Sequence, residues 1–588
     1  MEYSCSGVAQ IRREYLKVLR SYWQIESLSN EEHYAIIKHI KDMKKRFLNI
    51  SLIKALHKHE TSLALLVFAA FWSVFLLSAG TVTSGYHLMD DHIILLINRD
   101  LSQNNVFQIM ANCIQSDLHV RFRPVYCLRV FSVQILGTNF VSLSLLSLTM
   151  AVLTSWFLYM FARQVRFGRV SAFLFVLLTF MGTQTHIWWR LGLGFLEPVG
   201  MFWLSIGLYF MARTIFDAGK LRPIYNVLSV LALIIATLSK EAFVVLLPAV
   251  VLWELILYRQ HHQLSWIKTI KANLGKITLL ATVCLVELAI IFLKVGTNRM
   301  GYAGVDSNSL NLHNIAFTVK QLFLASNPLL MSTIGAVFVV ALTSKIVYDH
   351  VLTPKQPFKS LRSLLEELFY VAVLMGVYIM PQAVLHAKSG FNERYIIPGV
   401  MGFAFLTIYL LAKTQQLITL KALRFGIDAI LVIVTLLTLA ADFRVARNEA
   451  KAFAAEGASL KRAFNTLASN TKSNDAILIV ADPALDFEAS ISTYRYLTIQ
   501  ASKTNIYIDP IWSLNRADYS PFQTELRNDH LSLFGNLYID HLQDKSQIKA
   551  IFTYRGTDTA FNQLLPTRFK AQSYTRLDFG NFIVYLSS

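Results

Sequence analysis

The stretch Ser62-Leu-Ala-Leu-Leu-Val-Phe-Ala-Ala-Phe-Trp-Ser-Val-Phe-Leu-Leu-Ser-Ala-Gly-Thr-Val82, followed at once by Gly85-Tyr-His-Leu-Met-Asp-Asp-His92, decides how this chain is to be read. Its apolar part is long enough to cross a hydrocarbon layer about 30 Å thick as a helix. The segment after it therefore lies at a membrane surface, where two adjacent acids and two imidazoles, His87 and His92, suit chemistry or cation binding.

Working outward, apolar runs recur at 62–82, 139–161, 170–187, 195–212, 224–239, 242–258, 277–295, 328–348, 367–386, 395–412 and 424–441, about eleven spans. Only 16% of the 588 residues are charged and 54% are hydrophobic, which excludes an ordinary soluble domain at about 25% charged. The predicted fold is a mainly α, polytopic membrane protein with a C-terminal soluble α/β domain. Its boundaries are a helical cytoplasmic segment 1–61, a transmembrane domain 62–441 with long outer loops 83–138 and 296–327, and an extracytoplasmic domain 442–588.

Loop charges orient the chain. Lys38, Lys41, Lys44, Lys45, Arg46, Lys54 and Lys58 precede the first span, and every second loop afterwards is basic: Arg163/Arg166/Arg169, Arg213/Lys220/Arg222, Arg259/Lys268/Lys271/Lys276, Lys355/Lys359/Arg362 and Lys413/Lys421/Arg424. The positive-inside rule makes these cytoplasmic. The alternation holds only if the chain turns as a hairpin at Ser239-Lys240-Glu241, since one continuous helix would bury Lys240 and Glu241 at the bilayer centre. The net charge of +18 is then a matter of topology and anionic lipid head groups, and nucleic acid is not implied. The polar first sixty residues do not read as a cleavable signal peptide.

The first outer loop is too apolar to be freely solvated; 106–112 and 125–131 read as short interfacial helices. The second, with Gly301, Gly304, Asn308 and Asn311 before a helical stretch, reads as a lid over a cavity. Beyond Ala441 an amphipathic helix over 442–470 leads to strands at 476–481, 505–508, 550–554 and 581–586, with no glycine-rich phosphate loop. Of the cysteines, Cys113 and Cys127 are the pair that could bond, but no spacing implies a disulfide framework and free thiols are the expectation.

The outer loops carry the chemistry. Asp90 or Asp91 suits a general base whose pKa its surroundings tune, and Asp90, Asp91 and His92 together suit a divalent cation such as Mg or Mn. The same acids also suit the N-cap of a helix beginning near Ile93. Arg121 and Arg123 offer guanidiniums for a phosphate, or snorkel to lipid. Lys240 reads as a lysine presented to an anion and positioned by Glu241, or as half of a salt-bridged turn. His186, Trp188, Trp189 and Arg190 suit sugar stacking or an interfacial aromatic belt. Glu393, Arg394 and Tyr395 suit phosphate contact or interfacial anchoring.

Taken in order, Asp90-Asp-His with Asn98 after it, Arg123-Pro124, His186 with Trp189-Arg190, Lys240-Glu241, and Asn392-Glu-Arg-Tyr with Pro398 resemble the GT-C superfamily of membrane glycosyltransferases. The nearest pattern is the transmembrane O-mannosyltransferase family with tetratricopeptide repeats and its bacterial relatives; here the repeats are replaced by the α/β domain. The resemblance covers roughly 60–415. It implies an extracytoplasmic active site in a cell membrane (the endoplasmic reticulum if eukaryotic). There a hexosyl or pentosyl group passes with inversion from a polyprenyl-phosphate donor to a glycan, lipid or protein acceptor. It further implies Asp90 or Asp91 as base and Arg121, Arg123, Lys240 and Arg394 on the donor phosphate. The competing class, a transporter or flippase of a lipid-linked glycan, expects ionisable groups at the midplane and repeated halves. This chain has neither pattern.

Overall fold

A computed structural model describes residues 59–88, 90–118, 121–191, 196–217, 219–295, 310–352, 357–387, 395–418, 421–511, 521–569 and 573–587. The expected segment 1–61 lies almost wholly outside them, as does the glycine-bearing part of the expected lid. The chain divides at Leu66/Val67 into two compact units. Of the first, the described residues 59–66 are the start of a helix, α1 (Glu60–Ala79).

After α1 the first loop folds into α2 (His92–Leu101), α3 (Val106–Leu118), a 3-10 turn Pro124–Leu128 and α4 (Arg129–Leu136). The bundle continues through α5 (Phe140–Gln164), α6 (Arg169–Phe180), α7 (Glu197–Phe216), α8 (Arg222–Thr237), α9 (Leu247–His262), α10 (Trp266–Ile290), α11 (Leu312–Ala325), α12 (Pro328–Leu352), α13 (Pro357–Leu385) and α14 (Ile397–Leu417). The last membrane helix, α15 (Lys421–Asn470), runs unbroken for 50 residues, about 75 Å at 1.5 Å per residue. The boundary expected at 441/442 therefore falls in mid-helix.

Among the described residues nine helices are long and apolar enough to span, so this is a multi-pass membrane protein. The expected eleven included α6 and α8, which are apolar but only 12 and 16 residues long. The helix is broken at Lys240: α8 stops at Thr237, Lys240 is fully extended (φ −167°, ψ 147°), and a single helical turn Glu241–Val244 leads into α9. Gly200 makes this turn fit. Any Cβ there would collide with the Phe243 ring, so a glycine lets the turn lie flat on the start of α7. Charge inside the bundle is paired: Lys276, expected in a loop, is buried in α10 against Glu254 of α9 at 2.9 Å, with Ser229 of α8 accepting at 3.1 Å.

The C-terminal sheet contains β1 (Ala476–Ala481), β2 (Ile506–Pro510), β3 (Ile548–Tyr554), β4 (Tyr574–Asp578) and β5 (Phe582–Ser587) in the order β2-β1-β3-β5-β4. The three strands β2, β1 and β3 are parallel, in register at Ile508, Ile479 and Phe552, and β5 runs antiparallel to β3. Parallel strands are covered on both faces. One face packs α18 (Arg555–Arg568) through Phe561, with Ile539 and Tyr585. The other packs Leu460, Phe464 and Leu467 of α15 together with Tyr86, Leu88 and Leu95 of the first loop. Two further helices, α16 (Phe487–Arg495) and α17 (Pro521–Phe534), make the crossovers. The domain thus has no closed core of its own; the first loop completes it.

Candidate active site

Chain sterics set the two aspartates apart. Asp90 is in the left-handed region (φ 60°), tolerated by aspartate and used to swing the chain into α2. Asp91 holds the N-cap position, yet its side chain does not cap α2. Instead its Oδ2 accepts the backbone N–H of His87 at 2.9 Å, and the residue is only 2% exposed. Asp91 therefore closes the turn that carries Asp90, whereas Asp90 keeps partial access to solvent. The charge of Asp90 is felt by Tyr126 and Arg129, whose guanidinium lies 3.5 Å over the Tyr126 ring.

Both imidazoles serve as struts. His87 stacks on Phe453 of α15 at 3.6 Å and shares a hydrogen bond with Ser84 at 2.9 Å; burial, helped by Arg190, pushes its pKa down to about 3. His92 shares a 2.8 Å hydrogen bond with Ser492 of α16, and burial, helped by Arg495 and Arg129, pushes it down to about 4. Both are neutral donors or acceptors at pH 7. Tyr86 also reaches Ser492, donating to its carbonyl at 2.8 Å.

The cations converge from separate segments, each against an acid. Arg123 donates through Nε and Nη2 to Asp117 at 3.1 and 2.7 Å, and its guanidinium lies 4.9 Å over Tyr126. Arg121 lies 3.5 Å from Glu241, the longest of these ion pairs, with both side chains partly exposed. Lys240, 2% exposed, pairs with the equally buried Glu197 and lies 3.6 Å over the ring of Tyr395, which stacks in turn on His386 at 5.3 Å. Glu241 was expected to position Lys240; Glu197 does so, because the extended backbone at Lys240 directs its side chain to α7 while Glu241 faces Arg121. A backbone bond from the Val125 N–H to Leu238 O, 3.1 Å, ties the first loop to this turn.

Two expectations are corrected. Cys113 and Cys127 are not free thiols but a disulfide, clamping α3 to the 3-10 turn and enclosing Arg121 and Arg123. Trp188 and Trp189 are buried, 1% and 4% exposed, with Trp188 edge-on to Trp72 and Trp189 near Phe75, so neither ring is offered to a sugar. His186 is buried beside them, its Nδ1 2.7 Å from Thr183 O, and the charge of Arg190 is felt by His87 of the first loop. Glu393 and Arg394 lie outside the described residues. Asp90, Asp91 and His92 fit a metal poorly: Asp91 and His92 are engaged elsewhere, and among the described residues no three His, Cys, Asp or Glu side chains gather around one point. Sequence reading missed Asp117, Tyr126, Arg129 and His386.

The fold and this charged seam define a multi-pass membrane protein whose first loop packs on the C-terminal domain at one end and on the helix-turn at Lys240 at the other. The chain is similar to ArnT from Cupriavidus metallidurans bound to undecaprenyl phosphate, at 12% identity over 88% of this chain and 97% of that one, with a TM-score of 0.44. It is also similar to the oligosaccharyltransferase of Archaeoglobus fulgidus tethered to an acceptor peptide, at 12% identity over 91% and 74% of the two chains and a TM-score of 0.38. No family model and no curated protein matches the sequence.

Proposed function

We propose that the protein is a membrane glycosyltransferase that moves a sugar, hexose or pentose, from a polyprenyl-phosphate donor to an acceptor hydroxyl on the extracytoplasmic face. One observation carries the reading. Asp90 is joined through Arg129, Tyr126 and Arg123 to a seam of cations drawn from the first loop and the Lys240 turn. The alternating loop charges and the disulfide, a bond that persists on an oxidising side, support the orientation.

In the reaction Asp90 takes the proton of the acceptor hydroxyl. The oxygen then attacks C1 of the sugar from the face opposite the phosphate, the C1–O bond breaks, and its electron pair leaves on the polyprenyl phosphate. Arg121 is the first cation for that developing charge, because its pair with Glu241 is the longest and the most exposed. Arg123 and Arg394 assist, and Lys240, neutralised by Glu197, sets the local potential from beneath. No step is routed through a metal, since Asp91 and His92, two of the three groups that would hold one, are engaged elsewhere.

The test is transfer in proteoliposomes from undecaprenyl-phosphate-linked sugars. Asp90→Asn keeps the left-handed turn and should lower the rate about 10²- to 10⁴-fold, the usual contribution of a general base. Asp91→Asn should lower the yield of folded protein and leave the rate per folded molecule within about tenfold. Chelation should leave the parent rate unchanged. Transfer by Asp90→Asn at the parent rate overturns the assignment, and sugar-lipid translocation with no new glycosidic bond makes the protein a transporter.

A further inference from the structure

The end of the bundle away from the candidate site carries a second set of cations that the transfer chemistry does not use. Glu197 begins α7 at the site and Phe216 ends it, about 30 Å away at 1.5 Å per residue. At that far end the cations sort by partner. Arg213 of α7 pairs with Asp217, Arg259 of α9 with Glu366 of α13 at 3.0 Å, and Lys413 of α14 with Glu367 of α13 at 2.8 Å. Arg166, in the turn between α5 and α6, and Arg222, the first residue of α8, meet no acid among the described residues. Arg166 lies instead 5.6 Å over the ring of Phe216, and Arg222 lies 5.7 Å over that of Tyr258 of α9 and donates to its hydroxyl at 3.2 Å.

The two arginines belong to one cluster. Between ring centres, Phe216 stands edge-on to His261 at 4.9 Å, His261 to His262 at 4.8 Å, and His262 lies 4.3 Å from Tyr258. The Nε2 of His262 is shielded from solvent there and has no hydrogen-bond partner among the described residues, a state that calls for one. A ring under a guanidinium covers its face and leaves the N–H groups at its edge, which can only donate. Two such edges and an imidazole, with no carboxylate joined to them among the described residues, fit the oxygens of a phosphate. Depth selects the kind of phosphate. Leu221 and Ile224, on either side of Arg222, are 52% and 53% exposed, and Val170, four positions after Arg166, is 72% exposed. Apolar side chains bared at the starts of α8 and α6 mark where the hydrocarbon begins, so these cations stand at head-group level.

We propose that this cluster binds the phosphodiester of an anionic phospholipid, seated between the ends of α7, α8 and α9 in the leaflet that the loop charges make cytoplasmic. Arg222 and His262, which share Tyr258, hold the phosphodiester, and Arg166, across Phe216 and His261, completes the positive rim. Basic pockets between the cytoplasmic ends of membrane helices take anionic head groups in this way. Snorkelling alone explains the cluster less well, since it carries a guanidinium out to water, whereas both of these are drawn back over rings. The bound lipid ties the α5–α6 turn to three helices. The site stands whether or not the protein transfers a sugar.

The test is titration of the full-length protein in detergent with dioleoyl-phosphatidylglycerol, followed by native mass spectrometry. Dioleoyl-phosphatidylcholine serves as the neutral lipid and glycerol 1-phosphate as the soluble phosphate. The parent should hold phosphatidylglycerol more tightly than phosphatidylcholine, and glycerol 1-phosphate should not displace it. Arg222→Gln and Arg166→Gln should each weaken binding about fivefold, the usual worth of one cation toward an anionic lipid. His262→Phe keeps a ring beside Tyr258 but removes the nitrogens, and should weaken binding several-fold with the fold intact. Lys268→Gln/Lys271→Gln removes two exposed charges from α10 and should leave binding unchanged. Arg166→Gln/Arg222→Gln, with the same change in net charge, should abolish the preference for phosphatidylglycerol. Equal retention of the two lipids, a loss from the lysine pair as large as that from the arginine pair, displacement by glycerol 1-phosphate, or a His262→Phe protein that binds as the parent does each overturns the proposal.

Discussion

The first loop is held at its two ends by different forces. Residues 84–95 are held chiefly by burial: Tyr86, Leu88 and Leu95 join the core of the C-terminal sheet, His87 stacks on Phe453, and the hydrogen bonds of Tyr86, His87, Asp91 and His92 join neutral side chains or the backbone and include no ion pair. Residues 117–129 are held by charge: Asp117 with Arg123, Glu241 with Arg121, Arg129 over Tyr126, and one disulfide. Apolar packing is non-directional and close-fitting, so the first half is a rigid mount for Asp90. Ion pairs can exchange one anion for another, so on the proposed reading the second half is the part that trades an acid for the donor phosphate. On the proposed reading the base sits on the apolar half of the loop and the anion site on the ion-paired half.

The largest effects should come from the ionic half and the Lys240 turn to which it is tied. Lys240→Met leaves Glu197 charged and buried without its partner, and breaking one side of such a pair costs about 3–5 kcal/mol. The double variant Lys240→Met/Glu197→Leu should recover most of that loss in a thermal melt while leaving transfer impaired. Recovery of both together would show that the pair is only structural. Next comes Cys113→Ser. The bond closes a loop across 14 positions, and chain entropy assigns such a loop about 3 kcal/mol. Because Arg121 and Arg123 lie inside it, KM for the donor should rise more than kcat falls; an equal fall in both would detach the disulfide from the phosphate site.

How much of this could be read in the sequence follows the same division. Spans are legible because twenty apolar residues have one physical explanation, and the break at Lys240 is legible because a continuous helix would carry Lys240 and Glu241 into the bilayer. Four strands were readable as apolar runs; β4 was not, since Tyr-Thr-Arg-Leu-Asp is a half-exposed edge strand without a buried face to announce it. The positions of Asp90, Arg121, Arg123 and Lys240 were legible as polar groups at span ends. Their partners were not. Glu197 lies 43 positions from Lys240 and Asp117 sits on an ordinary amphipathic helix, and nothing local says which acid meets which cation. The tryptophans misled for a related reason: an aromatic pair at a span end looks the same whether it faces a lipid, a sugar or, as here, Trp72.

The apolar half should give smaller effects, and they test whether it is rigid. Gly457 of α15 has no room: a Cβ there would come to 2.6 Å from His87 Cε1 and 2.8 Å from the Ser84 carbonyl, a backbone atom that cannot rotate away. Gly457→Ala gains up to about 1 kcal/mol of helix propensity but overpacks this contact, which costs about 1–3 kcal/mol. The variant should melt lower and transfer more slowly; a higher melting temperature with full activity would mean that the loop yields.

The weakest lever is pH, and its sign follows from the two imidazoles. Folded His87 and His92 titrate at about 3 and about 4, below the ordinary value near 6.5. Above pH 6.5 both states are unprotonated and these residues contribute no pH dependence. Between pH 6.5 and 4 the unfolded chain binds protons that the native loop refuses, so stability falls with falling pH by at most about 1.4 kcal/mol per unit for each imidazole. His87→Phe keeps the ring on Phe453 but cannot titrate. It should flatten the slope of melting temperature against pH in that window, while changing the melting temperature at pH 8 less than it changes the slope. An unchanged slope would show that His87 takes up its proton in the folded state, and that this half of the loop opens as readily as the ionic half.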